Sequence, residues 1–161
     1  MSVKSKIILI SFATSDLKKS IDRLKEQAYE TKFYDEIKII TENDLDSDFK
    51  IYINKIMSDG NKRGYGYFMW KPYIIKEILS EINYGDIINY VDVGFHVIKE
   101  NSKKFKDYIK FISEKDKWIL PFQYHSKLNE EIENISFPHR EERKYSKGDL
   151  LDYYGFYNSS T

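Results

Sequence analysis

The 161-residue chain has no cysteine and only three prolines. The first absence excludes disulfides, thiolate chemistry and Cys-ligated zinc together, and suits a reducing cytoplasm. An excess of charge of either sign is also missing. Lysine plus arginine and aspartate plus glutamate stand at 26 each, for a formal net charge of zero. No global field therefore draws in DNA, RNA or an anionic membrane, nucleic acid is not an expected partner, and any anion site must be local. No run approaches the ~18 consecutive apolar residues of a transmembrane helix. The apolar run at 7–10 is too short for a signal peptide and leads into polar, helix-like sequence. There is no G-x-S-x-G, P-loop, His-rich metal pattern, internal repeat or low-complexity linker. What remains is a soluble, cytoplasmic chain, and its length predicts one domain over 1–161 with a core that needs no staples.

Helix and strand patterns alternate along the chain. Residues 6–12 form a short continuous apolar run, the mark of a central strand covered on both faces. Ser15 offers an N-cap, and Leu17, Ile21, Leu24 and Ala28 recur at helical spacing through Tyr29. A second strand is predicted over 36–41, then a helix with Phe49, Ile53, Ile56 and Met57 inward. The turn formers of 58–66 read as a loop. Pro72 fits the first turn of a helix whose buried stripe is Ile74, Ile75, Ile78, Leu79 and Ile82. Residues 86–92 read as a third buried strand, 102–113 as a helix, 117–122 as a fourth strand, and Ser146 with Asp149 as the capping box of a short helix closed by Gly155. This alternation predicts an α/β layer with a largely parallel sheet, whose ligands sit beyond the carboxyl ends of the strands.

Two segments carry the chemistry. RGYGYFMWKPY, residues 63–73, joins a cation and two glycines to four aromatics and a lysine-proline helix start. Gly64 and Gly66 allow close backbone approach, Arg63 can fork onto phosphate oxygens, and Lys71 lies near a helix start that favours anions. Tyr65, Tyr67, Phe68 and Trp70 can stack on a ring, but aromatics around a helix start also read as core. Three of the four are expected inside, with Trp70 and Tyr73 structural and Tyr65 the most exposed. The second segment, GDIINYVDVGF at 85–95, ends a strand in Asp92-x-Gly94. A carboxylate there can hold a ribose hydroxyl or a divalent ion, with His96 as a second ligand; a plain strand-end turn explains it equally well. Thr14 and Ser15 after the first strand are candidate nucleotide contacts, Ser15 serving equally as a cap. Gln123, Tyr124 and His125 follow the fourth strand and face the same rim, and HREER at 139–143 reads as a solvated, mixed-charge face.

Together the two segments resemble the bacterial sugar-transferase-like proteins of capsule and surface-glycan gene clusters. That family runs G-[YF]-G-Y-W-x-W-K-P into a strand ending Y-[LV]-D-[AV]-G, and the glycines, Trp70, Lys71 and Pro72 fall in register with it. The resemblance implies a Rossmann-like, glycosyltransferase-A-type three-layer fold, shortened, with a mostly parallel sheet. It also implies a nucleotide-diphospho-sugar donor, a glycan acceptor, and manganese or magnesium as cofactor. Thr14, Ser15, Arg63, Tyr65, Lys71, Asp92, Gly94 and Gln123 would bind the donor, with Asp92 the metal ligand, although Gly94 replaces the second carboxylate of a DxD motif. Peripheral association with the inner face of the membrane and homo-oligomerisation stay open. Family members continue beyond KYSKGDLLDYYG, so the match spans the donor half, over about 5–157, and assigns no general base. The expectation is a glycosyltransferase of surface polysaccharide synthesis; the rival is a non-catalytic nucleotide-sugar-binding or partner-binding module, and a ligand-free α/β interaction domain is a third reading.

Overall fold

Branched apolar residues with no charge among them, IILISF, make β1 (Ile7–Phe12), of which all but the first are buried. The computed structural model describes residues 5–60, 62–114 and 119–120. β1 is flanked by β2 (Glu36–Ile40) and β3 (Ile87–Tyr90), both parallel to it, in the order β2-β1-β3. The described residues thus form an α/β fold with a parallel three-stranded sheet, as the alternation predicts. The third strand is half-buried rather than fully covered. Among the described residues it is an outer strand, and only β1 has a neighbour on each side. Of the expected fourth strand at 117–122 only 119–120 are described, and the 123–125 segment with Gln123, the HREER cluster and the capping box at 146–149 lie outside the described residues.

The helices follow their apolar stripes, with three departures. Ser15 opens a separate 3-10 turn, Ser15–Leu17, and α1 (Lys18–Thr31) starts after it, so Leu17 is 43% exposed while Ile21, Leu24 and Ala28 are buried. In α2 (Ser47–Ser58), capped by the Asp46 carboxylate accepting from the Phe49 amide at 2.8 Å, only Ile53 is fully buried. In α4 (Trp70–Glu81) Trp70, Ile74 and Ile78 are buried, but Leu79 is 57% exposed. Leu79 sits about 140° round the helix from Ile74, beyond the width of the stripe. Ile8 and Ile10 pack with Ile78, and Phe12 with Leu45, Ile53, Trp70 and Ile74, so α4 covers one face of β1. Right-handed crossovers run in opposite directions from β1 to β2 and from β2 to β3, which puts α1 on the other face. Ser11, on the face of β1 opposite Ile10, is fully buried and its hydroxyl has no partner among the described residues.

Between α2 and α4 the chain makes a short helical turn of the opposite hand, α3 (Gly64–Tyr67). Gly64, Tyr65, Gly66, Tyr67 and Phe68 all have positive φ, from 50° to 74°. Left-handed backbone costs each L side chain about 1–2 kcal/mol, so the three aromatics together carry about 3–6 kcal/mol of strain. Against it stand the bonds from the Tyr67 amide to the Arg63 carbonyl (2.7 Å) and from the Phe68 amide to the Gly64 carbonyl (3.1 Å). The Trp70 indole donates to the Gly64 carbonyl at 2.9 Å. The two glycines are needed for sterics as well as for φ. A Cβ on Gly64 would meet the Phe68 ring at 2.5 Å, and one on Gly66 would sit 3.1 Å from the Ile53 side chain. Gly66→Ala is therefore expected to destabilise the protein by about 2–3 kcal/mol in urea unfolding. Gly94, whose added Cβ would meet nothing within 4 Å, should tolerate alanine to within about 0.5 kcal/mol; equal effects at the two positions would refute the packing account.

Candidate functional site

The carboxyl ends of β1 and β3 lie side by side, and in the order β2-β1-β3 they flank the place where strand order reverses, the usual ligand crevice of open α/β sheets. Pairing with β1 continues one residue past β3, through the Val91 amide on the Ile10 carbonyl at 3.0 Å. This delivers Asp92 to the rim. Its Oδ1 accepts from the Lys71 ammonium at 2.8 Å and from the Tyr90 hydroxyl at 2.5 Å. Lys71 comes from the first turn of α4, held in place because its neighbour Trp70 is stacked on Phe12 with ring centroids 4.1 Å apart. The Lys71 ammonium also lies 5.2–5.7 Å from the ring centroids of Phe68, Trp70 and Tyr90, within cation–π range of all three.

Electrostatics at this cluster favour the ion pair. Burial alone would raise the Asp92 carboxyl, but the hydrogen bonds from Lys71 and Tyr90 and the ammonium charge outweigh it and leave the carboxyl below its ordinary value. Burial first, and then Asp92, push the Tyr90 hydroxyl the other way, so it stays protonated and donates. With the Lys71 and Asp92 side chains 33% and 42% exposed, the pair is solvent-screened and contributes less than ~1 kcal/mol. A depressed carboxyl stabilises the fold above its unfolded value and loses that contribution as pH falls through the folded one. Wild type should accordingly exceed Asp92→Asn by less than ~1 kcal/mol near about pH 6, and the gap should shrink as the pH falls through the lowered carboxyl value. A gap that is constant across that range in denaturant titrations would mean that the carboxylate charge contributes nothing.

A second set of contacts fixes the loop that follows Asp92. Arg23, half-buried on α1, donates to the Val93 carbonyl at 2.7 Å and to the Phe95 carbonyl at 2.9 Å. One turn on, Gln27 meets His96 Nδ1 at 2.9 Å through Nε2 and receives the Val97 amide on Oε1 at 3.3 Å. His96 thus turns to α1 and not to Asp92. Because the two carbonyls lose a charged donor, Arg23→Ala is expected to destabilise the protein by about 1–3 kcal/mol, with Arg23→Lys in between. Wild-type stability in the alanine variant would show that the loop holds itself.

The remaining sequence candidates are placed unevenly. Thr14 is half-buried, with its carbonyl accepting from the Leu17 amide at 2.9 Å. Ser15 is engaged by the chain itself: both its amide (2.8 Å) and its hydroxyl donate to the Glu42 carboxylate. Arg63 is exposed, caps α3 through its backbone and makes no ion pair among the described residues. Gly94 is exposed with open space around it. The aromatics correct the expectation of three inside and Tyr65 outside. Only Trp70 is buried; Tyr65 is half-buried with its ring 5.7 Å from Phe12, while Tyr67 is 63% and Phe68 41% exposed. The left-handed turn is the cause, since it reverses the direction in which successive side chains leave the backbone. Tyr73 is structural as expected, stacked on Phe49 at 3.8 Å and donating to Asp46, which drives its hydroxyl up to about 12.

Four contributors were missed: Arg23, Gln27, Glu42 and Tyr90. Arg23 and Gln27 look like any solvated helix face in sequence, and Glu42 carries no local mark. Tyr90 had a signal, since residues two apart on a strand share a face and Tyr90-x-Asp92 brings hydroxyl to carboxylate. The described residues around Asp92 supply no complete donor set for a divalent ion. Among the described residues no group of three or more His, Asp or Glu could hold one, Oδ1 of Asp92 is filled, and the next two residues are Val93 and Gly94. No helix among the described residues is long and apolar enough to cross a membrane. Compared with protein-family models, curated proteins and solved structures, the chain matches none.

Proposed function

We propose that the chain binds a nucleotide-diphospho-sugar at the Lys71–Asp92 cluster and is the donor-binding part of a glycosyltransferase-A-type enzyme of surface-glycan synthesis, acting at the cytoplasmic side on a glycan acceptor. The observation that carries this reading is the 2.8 Å contact between Lys71 and Asp92 beside the carboxyl end of the central strand. It joins the two segments that resemble the surface-glycan family in one place. In this reading the second Asp92 oxygen accepts a ribose hydroxyl, and Lys71 with the exposed Arg63 meets the diphosphate. Phe68, whose exposed ring lies beside Lys71, and the exposed Tyr67 one residue before it serve as the stacking surface expected of Tyr65.

One observation favours the non-catalytic alternative. Oδ1 of Asp92 is already engaged by Lys71 and Tyr90, and Glu42 is held by Ser15. With the other Asp92 oxygen assigned to the ribose and both Glu42 oxygens held by Ser15, neither carboxylate stands ready to take a proton from an acceptor hydroxyl. A thermal-shift panel of nucleoside-diphosphate sugars, followed by a donor-hydrolysis assay, separates the readings. A donor at 100 times its dissociation constant should stabilise the fold by about 2.7 kcal/mol, seen as a shift of several degrees, and Asp92→Ala should remove most of it. Binding with Asp92-dependent turnover supports the transferase, binding without turnover the module, and no shift with any donor removes both.

A further inference from the structure

The cation on Asp92 is the chain's own. We infer that Lys71 stands in for a divalent metal ion in this protein, so that its ammonium, and not manganese or magnesium, is the cation that meets the diphosphate of the ligand. The inference rests on the nucleotide-sugar reading above and specifies how that site handles charge.

Three independent features hold the ammonium where an ion would otherwise be. The first is the contact itself: Lys71 Nζ lies 2.8 Å from Asp92 Oδ1, the oxygen that also accepts the Tyr90 hydroxyl. Those two donors leave that oxygen no good direction for a metal bond. Second, the rings of Phe68, Trp70 and Tyr90 surround the ammonium at 5.2–5.7 Å. Each is fixed by something other than the lysine: Trp70 by Phe12 and the Gly64 carbonyl, Phe68 by the end of the left-handed turn, Tyr90 by β3. The position is therefore built before Lys71 enters it, and the long side chain loses less freedom on binding than it would from an open surface. Third, the neighbours that would complete a metal site are turned elsewhere. His96 is tied to Gln27 at 2.9 Å, and positions 93 and 94 are valine and glycine.

The charges are consistent with this arrangement. Hard divalent cations need six or more oxygens at short distance, most of them from water and phosphate when the protein supplies a single carboxylate. To use the Asp92 oxygen that Lys71 holds, an ion would have to displace the ammonium and leave it among three rings without its counter-charge, and the other oxygen is the one assigned to the ribose. An ammonium has three N–H donors, and one satisfies Asp92. Two remain for phosphate oxygens. Lys71 and Asp92 cancel each other in net charge, so the attraction for an anion comes from Arg63, which is exposed and without an ion pair among the described residues.

Calorimetric titration of the full chain with ADP, GDP, UDP and CDP, each in EDTA and again in excess manganese, tests the inference. For the diphosphate that binds tightest, affinity in EDTA should lie within about twofold of that in manganese, because no ion takes part. Lys71→Ala should weaken binding at least about tenfold in both buffers, and Lys71→Arg should retain most of it, since arginine keeps the charge and donors. The wild-type comparison needs no variant, so it decides the matter even if Lys71→Ala fails to fold. Binding that vanishes in EDTA and returns with manganese would overturn the inference and leave the nucleotide reading standing. No binding of any of the four in either buffer would overturn both.

Discussion

The Trp70 indole is the contact on which the rest of this structure depends. It stacks on Phe12 at the end of the central strand, donates to the Gly64 carbonyl of the left-handed turn, and begins the helix that carries Lys71. Burying an aromatic of this size is worth several kcal/mol, of the same order as the strain in the turn it braces. Remove the indole and three things lose their common anchor: the hand of the turn, the start of α4 and the rings around Lys71. Strained backbone of this kind survives only where the surroundings over-determine it, and here the surroundings are one side chain with an apolar face and a single N–H donor.

Around that anchor the chain brings charge to the sheet edge from two directions. From one side α4 delivers Lys71 to Asp92; from the other, α1 uses Arg23 and Gln27 to hold the loop that follows Asp92. The aspartate is thus placed by a strand, paired by one helix and steadied by another. None of these contacts is individually strong, because the ion pair is partly solvated and the loop is exposed. Their effect is geometric. They fix where a carboxylate and an ammonium stand at the sheet edge, the placement on which the proposed reading relies.

The parts of the fold that follow from periodicity were legible in the residues. IILISF can only be comfortable as a covered strand, the Ile21, Leu24 and Ala28 stripe makes α1, and Pro72 marks the first turn of α4. Asp92 and Lys71 were recognisable as candidate site residues by type and by position at a strand end and a helix start. The site contacts that span about 70 positions, from Arg23 to the loop at 93–95 and from Gln27 to His96, had no sequence mark at all. A half-buried arginine and an exposed one are the same letter, and only the fold decides which backbone carbonyls lie within reach.

Sequence alone determined the class of this protein: alternating strand and helix patterns with no cysteine and no long apolar run leave a parallel α/β layer as the structure that buries what must be buried. It marked Gly64 and Gly66 as places of close backbone approach, while their positive φ and the Phe68 and Ile53 side chains that exclude a Cβ came from the structure. Which aromatics face solvent was decided only in three dimensions. A right-handed path through 64–68 would send the rings to one set of neighbours, and the left-handed path adopted sends Tyr67 and Phe68 outward and keeps Tyr65 against Phe12. The glycines at 64 and 66 permit that hand locally, and the Phe12–Trp70 stack, a contact between residues 58 positions apart, braces it from a distance that local sequence does not show.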